Sequence, residues 1–487
     1  MTEESGAGNS PTADPPGDLP APRLSDESRW YVEHTALLIT TLKWALLGTI
    51  AGVCVGFGTR AFLAALRWSG AAVRRLDLGP VPYYALLPAG MVACVWLIRR
   101  FAPSARGHGT EAVIAAIHQR SGRIDWQVAP VKLLATVTTL ALGGSVGKEG
   151  PCAQIGAAIT SAFADLLRLN DEDRRRLVIC GIGAGFAAVF GTPISGALFG
   201  IEVLYLGRIE YPVLFPCLIA GIVSHLVCGV PPLAPPLHES FGVLGQSTLV
   251  PACVAFGAAF GLMALSLIEA MRGLEKGLRR FEDHPYLLAM SGGVVLAVFY
   301  ALAGDAYAGL GTATIEGALN GTLRIAILAF AAKIFATAVT LETGGSGGIV
   351  TPIFFIGATG GAALANLFGL PPGAFAAFGL VSVLAAAANT PIAAAVMGME
   401  LLPGPVGVYA ALCACTAYLI VGHRSVYASQ KLGFSKSPGL DVTLDVAIGD
   451  LKRSGLRVRP GTLTDRALRL RVPGRSPSAR KTKPPGV

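Results

Sequence analysis

Two stretches of this sequence, about 200 residues apart, are near copies of each other. The first reads GGSVGKEGPCAQIGA (Gly143–Ala157) and the second reads GGSGGIVTPIFFIGA (Gly344–Ala358). With an offset of 201 residues, 13 of the 26 positions in and just before these stretches are identical, without a gap. A second pair, Thr192–Leu204 and Thr390–Leu402, follows in the same order with seven identities in 13 positions. The chain is therefore a duplicated domain.

The composition is that of a membrane protein. Apolar residues make up 53% of the 487 residues and charged residues only 14%, whereas an average soluble domain has roughly 25% charged residues. Between Leu37 and Val421, apolar helices of unequal length follow one another, and several are shorter than the roughly 20 residues that a bilayer crossing needs. Short helices at membrane depth are buried in protein or line an aqueous path. The pattern argues against a soluble enzyme and predicts an all-α polytopic transporter or channel.

The duplication and the terminal composition together predict how the chain is organised. Eleven Lys and Arg residues against one acid in residues 451–487 place that end in the cytoplasm by the positive-inside rule. We expect a multi-pass protein of the cell (inner or plasma) membrane with both tails cytoplasmic. The predicted segments are an acidic, Pro-rich disordered tail (1–35), a first membrane repeat (36–230), an extramembrane linker (231–248), a second membrane repeat with a final pore helix (249–433), and a basic tail (434–487).

In each copied stretch, glycines are followed by a proline, which predicts a helix that begins inside the membrane. Glycine-rich backbone interrupts the preceding helix, and Pro151 or Pro352 then lies in the first helical turn, where its missing N–H is harmless. The free N–H groups and the positive end of the helix dipole form an anion site. Broken helices of repeated transporters meet near the midplane at the repeat interface. The two halves therefore predict a midplane site for a small anion.

The same stretches carry a family pattern. GKEGP (Gly147–Pro151) resembles the G(K/R)EGP signature of the CLC chloride channels and chloride/proton exchangers, and GIVTP (Gly348–Pro352) is similar to the GxFxP motif of that family. RGHGTE (Arg106–Glu111) occupies the place of the GSGIP motif, and SVYASQ (Ser425–Gln430) resembles the final short helix with the pore tyrosine. The resemblance extends from about Leu37 to Lys431 with the motifs in the expected order.

This resemblance implies an inverted-repeat fold, a homodimer with one pore per subunit, and transport of chloride or a similar small anion through a gated pore. Glu149 falls on the gating glutamate, whose carboxylate competes with the anion and accepts a proton. Ile349 and Val350 fall on residues whose backbone N–H groups bind the central anion, and Tyr427 on the tyrosine whose hydroxyl does so. The remaining residues expected around the anion are Gly107, His108, Gly109, Gly147, Lys148 and Gly150.

Three departures from the family pattern bear on mechanism. His108 stands where the family usually has Ser, and Val350 replaces the Phe of GxFxP. Val203 falls where many proton-coupled members carry the intracellular proton-transfer glutamate, with Glu202 just before it. Neighbouring helix positions point about 100° apart, so Glu202 need not substitute for that glutamate. Glu202 is kept as a candidate for the proton path, while its repeat counterpart Glu400 favours a structural role for both, either capping or pairing between helices. Channel and exchanger both remain open, with a fluoride-exporting member as the alternative.

Functions of other classes fit the sequence less well. A membrane-embedded enzyme would need a catalytic cluster, and a cation-coupled transporter of another family would need carboxylates converging near Glu149. The nine cysteines lie in or beside apolar segments and predict no disulfide framework or metal site. No aromatic residues alternate with the charges of the basic tail, which argues against nucleic acid binding. The predicted partners are an anion, protons, the lipid bilayer and a second copy of the chain, without a cofactor.

Overall fold

The computed structural model describes residues 26–75, 81–231, 246–322, 328–402, 406–451 and 455–471. Most of the predicted N-terminal tail and linker, and the end of the predicted basic tail, lie outside these ranges. The chain divides into two compact units, Met1–Trp44 and Ala45–Val487. Within the described residues, the first unit contains only the beginning of helix α1, and the second contains all other elements.

The helices of the two halves follow one another in the same order. Six of the described helices are long and apolar enough to cross a membrane, and others are much shorter, as the sequence predicts. The first half contains α1 (Asp26–Arg75), α2 (Leu87–Phe101), α3 (Thr110–Arg120), α4 (Val128–Ala141), α5 (Glu149–Leu166), α6 (Asp171–Phe190), α7 (Pro193–Glu202) and α8 (Leu214–Cys228). The second contains α9 (Gln246–Leu278), α10 (Pro285–Ala303), α11 (Thr312–Leu319), α12 (Ala329–Glu342), α13 (Val350–Leu367), α14 (Pro372–Ala388), α15 (Pro391–Leu401) and α16 (Val406–Ile420).

The ends of the membrane region are more ordered than the sequence predicts. Helix α1 begins at Asp26, within the segment 1–35 that was expected to be disordered. The expected basic tail contains β3 (Leu440–Val442) paired antiparallel with β4 (Leu456–Val458), and helix α17 (Leu463–Arg471). Just before the tail, β2 (Lys431–Leu432) pairs in parallel with β1 (Tyr205–Leu206). Ile448 of the tail buries its side chain with Leu206 and Leu432 in a small apolar cluster.

The two halves contact each other through corresponding residues, each contact being made twice. At the centre, the Gly147 amide donates to the Gly348 carbonyl over 2.5 Å, and the Gly348 amide donates to the Gly147 carbonyl over 2.6 Å. The Ser145 and Ser346 amides each donate to a threonine hydroxyl of the other half over 3.1 Å. Reciprocal contacts of this kind are those of an isologous, two-fold interface. A two-fold axis therefore passes near the Gly147–Gly348 bridge.

The direction of this axis follows from helices α2 and α10, which pack against each other. The ring of Tyr84, just before α2, lies 5.8 Å from that of Tyr300, near the end of α10. Val95 in α2 and Ala289, early in α10, both pack against Gly344. The two helices are thus antiparallel, and both are among those able to span a membrane. A two-fold axis that exchanges two antiparallel helices is perpendicular to both. Because these helices run across the membrane, the axis lies in the membrane plane, and the predicted inverted repeat is confirmed.

The core of the second unit lies where α5 packs on α6 and α13 on α14. Nearly all side chains of these helices are buried. A Cβ on Gly181 of α6 would lie 2.6 Å from the Gly156 carbonyl oxygen of α5, and Gly379 approaches Gly357 in the same way between α14 and α13. Because only glycine permits this separation, the two helix pairs hold the beginnings of α5 and α13 in fixed positions at the centre.

Candidate functional site

The beginnings of α3, α5 and α13 meet next to the central bridge. A Cβ on Gly109 would lie 2.5 Å from the Gly150 carbonyl oxygen, and one on Gly348 would lie 2.7 Å from the Gly150 amide nitrogen. Gly109 also has φ +85°, a left-handed conformation that other residues rarely adopt. The glycines therefore bring the amide-bearing ends of three helices into contact. The predicted residues Gly107–Gly109 and Gly147–Gly150 are adjacent as a result.

Two buried lysines hold the loops that lead into this region. Lys132 Nζ donates to the carbonyls of Ala105 (3.0 Å) and Gly107 (2.5 Å), just before α3. In the other half, Lys333 Nζ donates to the Tyr307 (3.0 Å) and Gly309 (2.8 Å) carbonyls, just before α11. Both lysines are fully buried and bond to carbonyl dipoles instead of a carboxylate. They fix these loops next to the helix ends.

Glu149, the first residue of α5, extends its carboxylate to the first turn of α13. Its Oε2 accepts a hydrogen bond from the Thr351 amide over 3.1 Å, and its Oε1 accepts one from the Thr351 hydroxyl. The Glu149 side chain is fully buried. Helix N-termini favour negative charge, so this position suits a carboxylate. Sequence reasoning missed Thr351, although a hydroxyl residue between Val350 and Pro352 of GIVTP was a visible signal.

The other predicted donors lie around this carboxylate. Ile349 and Val350 form the cap and first residue of α13, are 1% exposed, and have amides without an acceptor within the helix. Tyr427 is fully buried, and its ring centroid lies 6.0 Å from that of His108. The Tyr427 hydroxyl and His108 Nδ1 are buried without a hydrogen-bond partner among the described residues. Lys148 is the residue at the N-cap position of α5 and is half-buried.

The segment that carries Tyr427 is not the short helix predicted at Ser425–Gln430. Its backbone is irregular, and two of its amides bond outside the segment: that of Val426 donates to the Ala387 carbonyl over 2.9 Å, and that of Ser429 to the Glu111 carboxylate over 2.8 Å. Gln430 is fully buried, and its Nε2 donates to the Val203 and Ala388 carbonyls, each over 3.0 Å. Long-range bonds therefore replace a helical turn and fix the position of Tyr427.

This anchoring predicts a large effect at Gln430. Replacing it by Met leaves two buried carbonyls without a donor, and each unsatisfied group costs about 1–3 kcal/mol. We expect the Gln430→Met variant to unfold at a clearly lower temperature in detergent than the unmodified protein. Gln127→Met at an exposed position before α4 is the matched control and should leave the midpoint unchanged. Equal midpoints for both variants would contradict the anchoring role.

Glu202 lies away from this cluster, between two short helices. Its Oε1 accepts from the Ile392 amide (3.0 Å) and its Oε2 from the Ala393 amide (2.7 Å) at the start of α15. Its repeat counterpart Glu400 accepts in the same way from the first turn of α7, over 2.9 and 2.8 Å. The adjacent Val203 is fully buried. Both glutamates cap a helix of the other half.

Comparison with known proteins places this architecture in a family. A model of the voltage gated chloride channel family matches residues 89–422. The chain belongs to this family. The resemblance to the CLC proteins is therefore confirmed, and the protein transports small anions across a membrane.

Individual members of the family resemble the chain over most of its length. A chloride/fluoride channel protein of Pseudomonas syringae pv. tomato is 37% identical over 83% of this chain and 90% of its own length. An H(+)/Cl(-) exchange transporter ClcA of Cronobacter sakazakii is 28% identical over 74% of this chain and 82% of its own. The crystal structure of a CLC-type fluoride/proton antiporter superimposes with a TM-score of 0.74 and 27% identity, covering 80% of this chain and 98% of that one.

Proposed function

We propose that this protein exchanges fluoride for protons, with Glu149 as both gate and proton acceptor. The observation that supports this most strongly is the Glu149 carboxylate on the first turn of α13, where it accepts from the Thr351 amide and hydroxyl. A small anion that accepts hydrogen bonds as strongly as a carboxylate oxygen fits the same donors. Competition between the carboxylate and the anion for one position then provides the gate.

The donors around this position suit fluoride better than a larger anion. Fluoride is small and a strong acceptor, and hydrogen bonds to charged acceptors are the short, strong ones. Thr351 offers a hydroxyl beside its amide, and Tyr427 offers a second buried hydroxyl without a partner among the described residues. Fluoride also appears in the names of the 37% identical relative and of the antiporter of known structure. We include the amides of Gly147, Gly150, Ile349 and Val350 among the anion's donors, with Gly107, His108, Gly109 and Lys148 along its approach.

Proton coupling follows from the chemistry of the gate. The ionised Glu149 carboxylate is attracted by the α13 N-terminus and blocks the anion's position. An incoming anion repels it and favours its protonated form, which the helix end no longer attracts. The neutral side chain leaves, the anion enters, and the proton travels with Glu149. Because the anion and the ionised Glu149 carboxylate cannot occupy this position together, entry of an anion is coupled to protonation of Glu149. This coupling supports exchange of anions for protons.

The surroundings of the site support a membrane-bound homodimer. Helices α7, α8, α15 and α16 carry exposed apolar side chains, among them Leu226, Met399 and Val408. We propose that a second copy covers part of this surface and lipid covers the rest. The arginine cluster Arg174–Arg176, which follows the acidic first turn of α6, supports a cytoplasmic location for that face. We propose the same side for both tails and the plasma membrane as the host bilayer. The two repeats would then correspond to residues 36–230 and 249–433.

Ion flux from liposomes tests the proposal. Purified protein in vesicles loaded with fluoride or with chloride should release fluoride faster and take up protons as fluoride leaves. External pH and anion electrodes record both movements at once. Preferential chloride release would replace fluoride by chloride as the substrate, and fluoride release without proton uptake would make the protein a channel.

A substitution at Thr351 tests the fluoride preference. Thr351→Val removes the hydroxyl donor and keeps the amide and the side-chain shape, and a hydrogen bond to a charged group is worth about 1.5–3 kcal/mol, or roughly tenfold in affinity or more. We expect fluoride affinity to fall by that factor and chloride affinity to change less. Thr359→Val, on the same helix, is the control because the Thr359 hydroxyl bonds only to carbonyls of its own helix. Equal loss of affinity for both anions would argue against fluoride selection by Thr351.

A further inference from the structure

A second carboxylate, that of the partly buried Glu111, lies in the same polar region as Glu149. It is the second residue of α3, and its Oε1 accepts from the Ser429 amide (2.8 Å) and hydroxyl (2.5 Å). Its Oε2 is buried and has no hydrogen-bond partner among the described residues. A buried charged oxygen without a donor is costly, whereas a proton on that oxygen removes the charge. The environment of Glu111 therefore allows it to take up a proton reversibly.

The position of Glu111 relative to the two membrane faces follows from the chain that holds it. From Tyr427 the chain passes Ser429 and enters β2, which pairs with β1. In β1, the Tyr205 hydroxyl accepts a hydrogen bond over 3.1 Å from Arg175 of α6. We call the side of the molecule that carries Arg174–Arg176 the basic face. Ser429 is thus between Tyr427 and the basic face, and Glu111, which bonds to Ser429, is at the same depth.

Polar side chains lie between this carboxylate and Glu149. Tyr427 is two residues from Ser429, which bonds to Glu111, and its ring centroid lies 6.0 Å from that of His108. Buried polar atoms without protein partners are the places where internal water or a transported ion is held. The titratable and charged groups that face this path are Glu149 on α5, Glu111 on α3, Lys132 on α4, His108 before α3, and Tyr427 after α16.

Glu202 is held in a different way. Both of its oxygens accept hydrogen bonds from the first turn of α15, away from the meeting point of α3, α5 and α13, whereas Oε2 of Glu111 has no donor among the described residues. The fully buried, apolar Val203 follows it. Glu111 is the carboxylate with an open oxygen, and it lies between the site and the basic face.

We propose that Glu111 is the inner proton acceptor of the transport cycle, and this inference rests on the proposed exchange of an anion for protons. The proton leaves the neutral Glu149 carboxyl and passes through hydroxyl groups and water beside Tyr427 and His108. It binds Oε2 of the ionised Glu111 and then leaves to the basic face. One carboxyl loses the proton that the other gains, and no group is oxidised or reduced.

The test compares Glu111→Gln with Glu202→Gln in liposomes that carry a fluoride gradient. Glutamine keeps the bonds from Ser429 but cannot carry the proton. We expect the ratio of protons to fluoride ions to fall about tenfold or more in Glu111→Gln, while fluoride efflux persists. Glu202→Gln should keep the ratio of the unmodified protein. If Glu111→Gln keeps the ratio of protons to fluoride ions, or if Glu202→Gln loses proton coupling, the role of Glu111 is overturned. Either result leaves the proposed exchange itself intact.

Two further measurements test the role of Glu111. Absence of proton movement in the unmodified protein would overturn both the exchange proposal and the role of Glu111. If Glu111→Gln does not assemble, Glu111→Asp and Glu111→Asn form an isosteric pair in which only the acid can titrate. Coupling retained in the Asp variant and lost in the Asn variant supports the inner acceptor, and equal coupling in the two overturns it.

Discussion

Anion flux through the Glu149→Gln variant is expected to be independent of pH, and the variant is expected to move no protons. The amide has the shape of the protonated carboxyl but carries no charge at any pH, so the α13 N-terminus no longer draws it into the anion's position. The gate therefore stays open, and the proton carrier is gone. Fluoride efflux from liposomes over a series of pH values, with proton uptake recorded in parallel, measures both effects.

The matched control for this variant is Glu400→Gln. Glu400 also places a carboxylate, here a partly buried one, on the first turn of a helix from the other half, but at α7, away from the meeting point of α3, α5 and α13. It should therefore keep the pH dependence and the coupling of the unmodified protein, even if its stability falls. Unaltered pH dependence of anion flux in Glu149→Gln would refute the assignment of Glu149 as the gate.

A single methyl group at Gly348 is expected to abolish transport. Its Cβ would lie 2.7 Å from the Gly150 amide and 3.2 Å from the Gly147 carbonyl oxygen, both of them backbone atoms at the centre of the molecule. Overpacking of a dense core costs about 1–3 kcal/mol, and here relief requires that the beginnings of α5 and α13 move apart. Gly348→Ala should therefore unfold at a lower temperature and show little or no anion flux in liposomes.

Gly273→Ala is the matched control for Gly348→Ala. Gly273 lies in α9, is exposed, and has no heavy atom within 4 Å of an added Cβ. Alanine in a helix is favoured over glycine by about 1 kcal/mol, so this variant should be as stable as the unmodified protein or more so, with normal flux. Normal flux in Gly348→Ala would show that the helix ends do not need their close contact.

The repeat made much of the fold predictable, because corresponding residues take up corresponding places. The offset of 201 pairs Gly147 with Gly348, which bond to each other, and Lys132 with Lys333, which hold equivalent loops. The apolar lengths also predicted that short helices such as α7 and α15 occur among the long ones. They did not predict that α13 is long enough to span a membrane or that α12 is short. The direction of the repeat was predicted from the family resemblance, and the antiparallel packing of α2 on α10 confirms it.

What the sequence could not predict are contacts between positions far apart in the chain. Thr351 and Glu111 lie within the quoted motifs, but their partners are 202 and 318 positions away. The segment Ser425–Gln430 was expected to be helical from its local pattern. Its Val426 amide instead bonds to a carbonyl at the end of α14, a choice that only the assembled fold offers.

The exchange of caps between α7 and α15 has a consequence for the origin of this chain. Glu202 accepts from amides of the second half, and Glu400 accepts from the equivalent amides of the first. If the two halves were separate polypeptides encoded by one short gene, a single glutamate codon would produce both contacts across a homodimer, as in any isologous interface. Fusion of two tandem gene copies then needs no new interface. Afterwards each copy could mutate alone, which allowed the two halves to differ at equivalent positions such as Glu149 and Val350.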